Sequence, residues 1–331
     1  MHPSYKTRIF DAGEVFSGRA SGSKIRGFEK PTPFSPEVDE GYVFHESARD
    51  VVVWLLMEKP EPLYLYGPTG CGKSSLVRQL AARLNYPVFE CNGHERMEVQ
   101  DLVGHLAVVN GSMRFEDGPL TVAMRLGGMF LLNEIDLCSP ATLAGLNTIL
   151  DGAPLCIPEN GGELVKPAPG FRFVATANTS GGGDETGRYQ GTLRQNLAFL
   201  DRFMVCEACY PAPDVETALL TSKFPALPQD LCTRMVGFAG DIRRLFVGDA
   251  QPGDSQLFQN GCEVTLSTRT LLRWADLTVR FQPLARQGIS PLMYALDRAL
   301  GFRASRETRA MLHELAQRTF GTLQPTETQG E

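Results

Sequence analysis

The stretch that most constrains the fold is Gly67-Pro68-Thr69-Gly70-Cys71-Gly72-Lys73-Ser74. It follows the apolar run Leu63-Tyr64-Leu65-Tyr66 and opens the periodic segment Ser75-Leu76-Val77-Arg78-Gln79-Leu80-Ala81. Strand, glycine turn and helix in that order build a phosphate cradle. Glycines let successive backbone N–H groups curl around phosphate oxygens, where the positive end of the following helix also points. Lys73 would reach the outer phosphates. Ser74 would give its hydroxyl to a magnesium ion, a hard cation that takes oxygen ligands and keeps most of its water. Residues Gly67, Pro68, Thr69, Gly70, Cys71, Gly72, Lys73, Ser74 and Ser75 are the candidate nucleotide-binding set.

Such a loop needs a sheet behind it. Pro87-Val88-Phe89-Glu90-Cys91 reads as a second strand, broken by Asn92-Gly93-His94. Gly128-Met129-Phe130-Leu131-Leu132-Asn133-Glu134-Ile135-Asp136 is an unbroken apolar strand that ends in acidic and amide side chains. A strand covered on both faces has that composition, and open parallel sheets gather ligands at the strands' carboxyl ends. Glu134 is the candidate general base, polarising the water that attacks the terminal phosphate; a solvated acidic turn is the alternative. Phe171-Arg172-Phe173-Val174-Ala175-Thr176-Ala177-Asn178 is a further strand ending in an amide, with Asn178 suited to orienting that water. The glycine-rich run from Thr179 to Glu185 is expected as a mobile loop. Phe203-Met204-Val205-Cys206 is the last strand, ended by Pro211 and Pro213.

Around these strands lie a buried helix from His45 to Met57, an insertion from Asp101 to Gly128 with a hairpin at Asn110-Gly111, a helix from Thr142 to Leu150, and a hairpin from Leu155 to Val165. From Asp214 onward the periodicity is helical. The expected class is therefore α/β, a parallel sheet flanked by helices, followed by a small all-helical domain. The boundaries are an extended N-terminal arm over 1–40, the α/β nucleotide-binding domain over 41–210, the helical domain over 211–322 and a flexible tail over 323–331. The arm is expected to be pinned at Ile9, Phe10, Val15 and Phe16.

A chain of 331 residues exceeds one average domain, and its 43% apolar and 21% charged residues are ordinary for a soluble protein. No apolar run approaches the roughly 18 residues of a membrane span, and no apolar signal region follows Met1, so a cytoplasmic protein is the expectation. The net charge of −6 leaves no electrostatic footprint for a nucleic-acid backbone, which is neither implied nor excluded. The eight cysteines are scattered, a pattern of reduced thiols. Cys206-Glu207-Ala208-Cys209 lacks the two further ligands that a zinc site needs.

Gly67–Ser74, Leu132-Asn133-Glu134, Ala177-Asn178, Asp201-Arg202-Phe203 and Ser267-Thr268-Arg269 occur in the order and spacing of the AAA+ ATPases. The chain resembles that family and, within it, the MoxR group. Ala175-Thr176-Ala177-Asn178-Thr179, Gly183-Asp184 and Gly187-Arg188-Tyr189-Gln190-Gly191-Thr192 are similar to the CobS-like ATPases, the AAA+ subunits of aerobic cobalt chelatases. The resemblance covers about residues 40–300. It implies an AAA+ core with a helical lid, hydrolysis of ATP to ADP and phosphate with magnesium, and a ring, most often of six. It also implies a partner with a von Willebrand factor A domain. By position it makes Lys73 and Ser74 the Walker A residues, Asn133 and Glu134 the Walker B pair, Asn178 sensor 1, Arg202 the arginine finger and Arg269 sensor 2. A planar guanidinium suits the charge of a transferring phosphoryl group. A surface salt bridge is the alternative for Arg202.

The chain departs from the family at Asn133, where Asp is usual, which removes a negative charge beside the magnesium. An amide oxygen still accepts from a metal-bound water, so binding should survive while hydrolysis slows, with Asp136 the candidate to compensate. A nucleic-acid-directed motor of the McrB-like kind and a nucleotide-gated scaffold with little turnover are the competing readings. The sequence does not name the client.

Overall fold

The structure, a computed structural model, describes residues 5–184, 189, 191–247 and 262–321. Glu185, Gly187, Arg188 and Gln190 of the glycine-rich segment and the tail 323–331 lie outside the described residues. The chain divides into two compact units, one made of 1–40, 46–68 and 73–209, the other of 41–45, 69–72 and 210–331.

The first unit begins with regular structure where the sequence suggests an extended arm. Strand β1 (Thr7–Asp11), helix α1 (Ala12–Ser17) and strand β2 (Lys24–Phe28) form an antiparallel ribbon. Asp11 caps α1, accepting from Glu14 N at 3.0 Å, and its other carboxylate oxygen accepts from Gly22 N at 2.6 Å, which closes the loop. The anchors also differ from the expected ones. Ile25 and Phe28 are 1% and 2% exposed, whereas Ile9 is 55% exposed. Phe28 packs edge-on against Tyr86 at 5.1 Å between centroids, and its N–H donates to Leu84 O at 2.8 Å. Glycine and serine in the connecting turn mask a strand whose apolar alternation spans only five residues.

Helix α2 (Ser47–Leu56) leads to β3 (Leu63–Tyr66), and α3 (Lys73–Arg83) and β4 (Val88–Asn92) follow. Short α4 (Val99–Val103) precedes the hairpin of β5 (Gly104–Val109) and β6 (Ser112–Asp117), and α5 (Pro119–Leu126) returns the chain to β7 (Met129–Asn133). The helix expected over Thr142–Leu150 is broken into α6 (Pro140–Ala144) and α7 (Asn147–Leu150). The break falls at Gly145, where a Cβ would come within 2.7 Å of Val99 Cγ2. The hairpin of β8 (Leu155–Ile157) and β9 (Glu163–Val165), then β10 (Arg172–Ala177), α8 (Leu197–Leu200) and β11 (Met204–Glu207) complete the unit.

The five-stranded sheet runs β11-β3-β10-β7-β4, parallel throughout. Every residue of β7 and β10 is buried, as a sheet covered by helices on both faces requires. Leu63, Leu65, Leu131 and Val174 are fully buried, each contributing ~1.5–3 kcal/mol of transfer free energy. This core fixes the register that brings the carboxyl ends of β3, β7 and β10 into line.

The second unit is helical: α9 (Pro213–Lys223), α10 (Gln229–Phe246), α11 (Thr268–Arg280), α12 (Pro291–Ala299) and α13 (Arg306–Phe320). Its core centres on Trp274, which packs against Phe238 and Phe320 at 5.3 and 5.8 Å. The buried indole N–H donates to Leu292 O at 3.0 Å. Among the described residues no helix is long and apolar enough to cross a membrane.

Candidate nucleotide site

The loop after β3 takes the backbone shape that its glycines permit. At Gly67, φ is 154° and a Cβ would lie 2.0 Å from Ala208 O; at Gly72, φ is 101°, a value that side-chain-bearing residues rarely adopt. Lys73 opens α3, and its ammonium donates to Gly67 O at 2.7 Å, Pro68 O at 3.1 Å and Asn178 Oδ1 at 3.0 Å. The lysine is thus held across the loop and tied to the end of β10.

Ser74 lies beside Asn133, its hydroxyl donating to Asn133 Oδ1 at 2.6 Å. Thr176 Oγ1, from the adjacent strand β10, donates to the same oxygen at 3.0 Å. On its other side the Asn133 amide nitrogen donates to Glu90 Oε1 and, at 3.2 Å, to Asn92 Oδ1, both on β4. Hydroxyl, amide and carboxylate oxygens are the donors a hard divalent cation prefers, so this set fits magnesium. Glu134 follows with φ 54° and ψ 43°, a left-handed conformation uncommon outside glycine, and its side chain is exposed. The chain therefore leaves β7 sharply just where the acidic side chain stands.

Asp136 takes another place than the one expected of it. It is fully buried, and Oδ2 accepts from the backbone N–H groups of Asn178 at 2.8 Å and Thr179 at 3.1 Å. Its Oδ1 has no partner among the described residues. Burial pushes its carboxyl upward against the pull of those N–H groups. The turn at Glu134 carries Asp136 toward the end of β10 and away from the hydrogen bonds around Asn133. It holds the backbone of Asn178 and makes no hydrogen bond to Asn133, while the Lys73 ammonium is near enough to pull its carboxyl downward.

Arg202 follows α8, with Nε 2.8 Å from Asp151 Oδ1; the two side chains are 27% and 52% exposed. The ion pair weighed as the alternative for Arg202 is therefore present, but Nε makes no well-directed hydrogen bond in it, and a partly exposed pair of this kind is worth about 1 kcal/mol or less. None of the hydrogen bonds found for Arg202 reaches Lys73, Asn133 or Asn178. In the second unit, Arg269 is exposed on the first turn of α11, behind the cap made by Ser267. The loop residue Gly70 belongs to the same unit, and a Cβ on it would lie 2.5 Å from Ser267 Cβ and 3.8 Å from Arg269 Cβ. Cys206 is buried and Cys209 exposed, both free, and no metal-binding cluster occurs among the described residues.

Residues 62–203 match the AAA domain of the dynein-related subfamily, and residues 216–319 match the C-terminal domain shared by CbbQ, NirQ and NorQ. Protein NorQ of Paracoccus denitrificans is 30% identical over 254 residues, covering 76% of this chain and 83% of NorQ. The chain belongs to the MoxR group of AAA+ proteins. The aerobic cobaltochelatase subunit CobS of Sinorhizobium is 28% identical over 319 residues, covering 93% of this chain and 89% of CobS. Midasin of Dictyostelium discoideum is 31% identical over 224 residues, which are 67% of this chain but 4% of midasin.

In this AAA+ protein the α/β sheet with its helical C-terminal region is the architecture that the sequence suggests. Lys73 bonds directly to Asn178, and its neighbour Ser74 to Asn133. Sequence reasoning missed Glu90, Asn92 and Thr176, the three partners of Asn133 on neighbouring strands. The available signal was Glu90 itself, a carboxylate inside the apolar run Val88-Phe89-Glu90-Cys91.

Proposed function

We propose that this protein is a magnesium-dependent ATPase, cleaving ATP to ADP and phosphate. It works in the cytoplasm as a ring, most often of six, that remodels a client protein together with a partner carrying a von Willebrand factor A domain. The observation that carries this reading is the meeting of Lys73, Ser74, Asn133 and Asn178 at the carboxyl ends of β3, β7 and β10. In open parallel sheets that is where phosphate ligands bind.

In this reading Lys73 neutralises the outer phosphates. Ser74 and Asn133, the latter through water, would hold magnesium, which would supply positive charge against that building on the leaving diphosphate. Glu134 takes the proton of the attacking water and Asn178 orients that water. Arg202 acts on the nucleotide of a neighbouring protomer, exchanging its weak pairing with Asp151 for the transferring phosphoryl group. Arg269 contacts the nucleotide of its own protomer as the lid moves. The exposed apolar residues Val108 and Met113, opposite each other in the β5–β6 hairpin, and Leu164 in the β8–β9 hairpin supply client contacts. The relatives NorQ and CobS, the latter by name a subunit of a larger enzyme, fit a protein that drives another.

The test is phosphate release per protomer as protein concentration rises, with particle mass followed by light scattering. Turnover that climbs with assembly and disappears in Arg202→Ala supports the ring. Full turnover by a monomer overturns it. A nucleotide-gated scaffold is the second reading, favoured by the amide at Asn133, and nucleotide-dependent assembly without phosphate release would establish it.

A further inference from the structure

Asn133 stands at the end of β7 with a side chain that is polar at both tips, and only one of them suits a cation. Turned one way, the amide presents its oxygen to Ser74; turned the other way, it presents its NH₂ group there and would repel magnesium. The neighbours decide between the two. Ser74 and Thr176 are hydroxyls, which donate or accept, and Asn92 is itself an amide that can turn. Glu90 alone, as a carboxylate, has no hydrogen to give, so it accepts from the Asn133 nitrogen and forces the oxygen toward Ser74 and Thr176. Parallel pairing sets Asn92 opposite Asn133, with Glu90 two residues earlier on the same face of β4. Glu90 is in turn braced by Arg78 of α3, whose Nε donates to Oε2 at 2.9 Å.

We propose that Glu90 is a positioning residue for the metal side of the nucleotide site: it orients the Asn133 amide and supplies, one strand away, the carboxylate that Asn133 itself lacks. The proposal rests on the nucleotide reading above. The residue at 133 and the residue at 90 then form one matched pair. An aspartate at 133 would face Glu90 with two acceptors and no hydrogen between them, so restoring the family's residue would harm this chain.

The pair is tested by the affinity of a fluorescent ATP analogue, measured with magnesium and again in EDTA, for the full chain and its variants. The ratio of the two affinities reads the metal site and needs no turnover. Glu90→Ala is expected to cut the magnesium ratio about 10-fold or more, the usual scale for an outer partner of a metal ligand, with the EDTA affinity unchanged. Glu90→Gln, which carries no charge and whose amide can turn to donate, should lower the ratio in the same direction and serves where the alanine variant folds poorly. Asn133→Asp alone should lower the ratio, and Asn133→Asp with Glu90→Gln should bring it back. An unchanged ratio in Glu90→Ala, or a gain from Asn133→Asp that does not depend on residue 90, overturns the proposal. A wild type whose affinity ignores magnesium overturns the nucleotide reading itself, an outcome distinct from the other two.

Discussion

Lys73 and Asn178 stand 105 positions apart in the chain and meet at 3.0 Å, ammonium to amide oxygen, joining the phosphate loop to the end of β10. The proposed function gives the two residues different jobs. Lys73→Ala should abolish measurable binding of ATP in calorimetry, because it removes the only charge that the loop brings to the outer phosphates. Asn178→Ala should leave binding within a few-fold and lower the turnover number about 100-fold, the scale seen when one polar group aimed at a transition state is lost. Equal effects of the two variants on binding would contradict this division.

The lid has its own ionic centre. Glu216, 1% exposed, pairs in bidentate fashion with Arg243 at 2.7 and 2.9 Å and also accepts from Thr268 Oγ1 at 2.6 Å. Arg243 stacks in turn over Tyr210 at 4.0 Å, and the Tyr210 hydroxyl donates to Thr69 O of the loop segment in the same unit. Removing Glu216 leaves a largely buried guanidinium with only Leu266 O and the Tyr210 ring, so Glu216→Ala should destabilise the helical unit by about 3 kcal/mol, read by chemical denaturation.

Acid should loosen the two hairpins before the sheet. Arg125 of α5 bridges Asp117, at the end of β6, and Glu163, at the start of β9, with contacts of 2.7 and 2.6 Å. The Arg125 guanidinium holds the Glu163 carboxyl down at about 2, against the ordinary 4.5. A carboxyl lowered by folding contributes stability above its unfolded value, and that contribution is lost as the pH falls through the window from 4.5 toward 2. Protection of the β8–β9 amides from hydrogen exchange, taken relative to the intrinsic rate at each pH, should fall across that window in wild type and be already low in Arg125→Met at neutral pH.

The N-terminal ribbon buries Ile25 and Phe28 of β2, whereas Ile9 of β1 faces solvent. Ile25→Ala removes a side chain that is 1% exposed and should cost about 2–5 kcal/mol, whereas Ile9→Ala, at 55% exposure, should stay within roughly 0.5 kcal/mol. Thermal melts of the two variants check the order.

What the sequence discloses and what it hides divide along physical lines. The phosphate loop, β7 and β10 are legible because each compresses its signal into one run: glycines before a lysine, or apolar residues ending in an amide or an acid. The ribbon at the N-terminus is not, since β1 is largely solvent-facing and carries no alternation to detect. The site is legible one strand at a time. Lys73, Ser74, Glu134 and Asn178 are read from what each segment must do and Asn133 from the family resemblance, but the partners of Asn133 depend on which strand lies beside which. Glu90 and Thr176 reach it only through the order β10-β7-β4. Asp136 shows the same limit: its carboxylate goes to the backbone of Asn178 because one left-handed residue, Glu134, redirects the chain.

The central claim is that Glu134 activates the water that cleaves a triphosphate held by Lys73 and Ser74. Its most direct test is phosphate release by wild type and Glu134→Gln, with ATP binding measured on both. The account predicts equal binding and a fall in turnover of at least about 100-fold, the contribution of a positioned general base; equal turnover by the two proteins would contradict it.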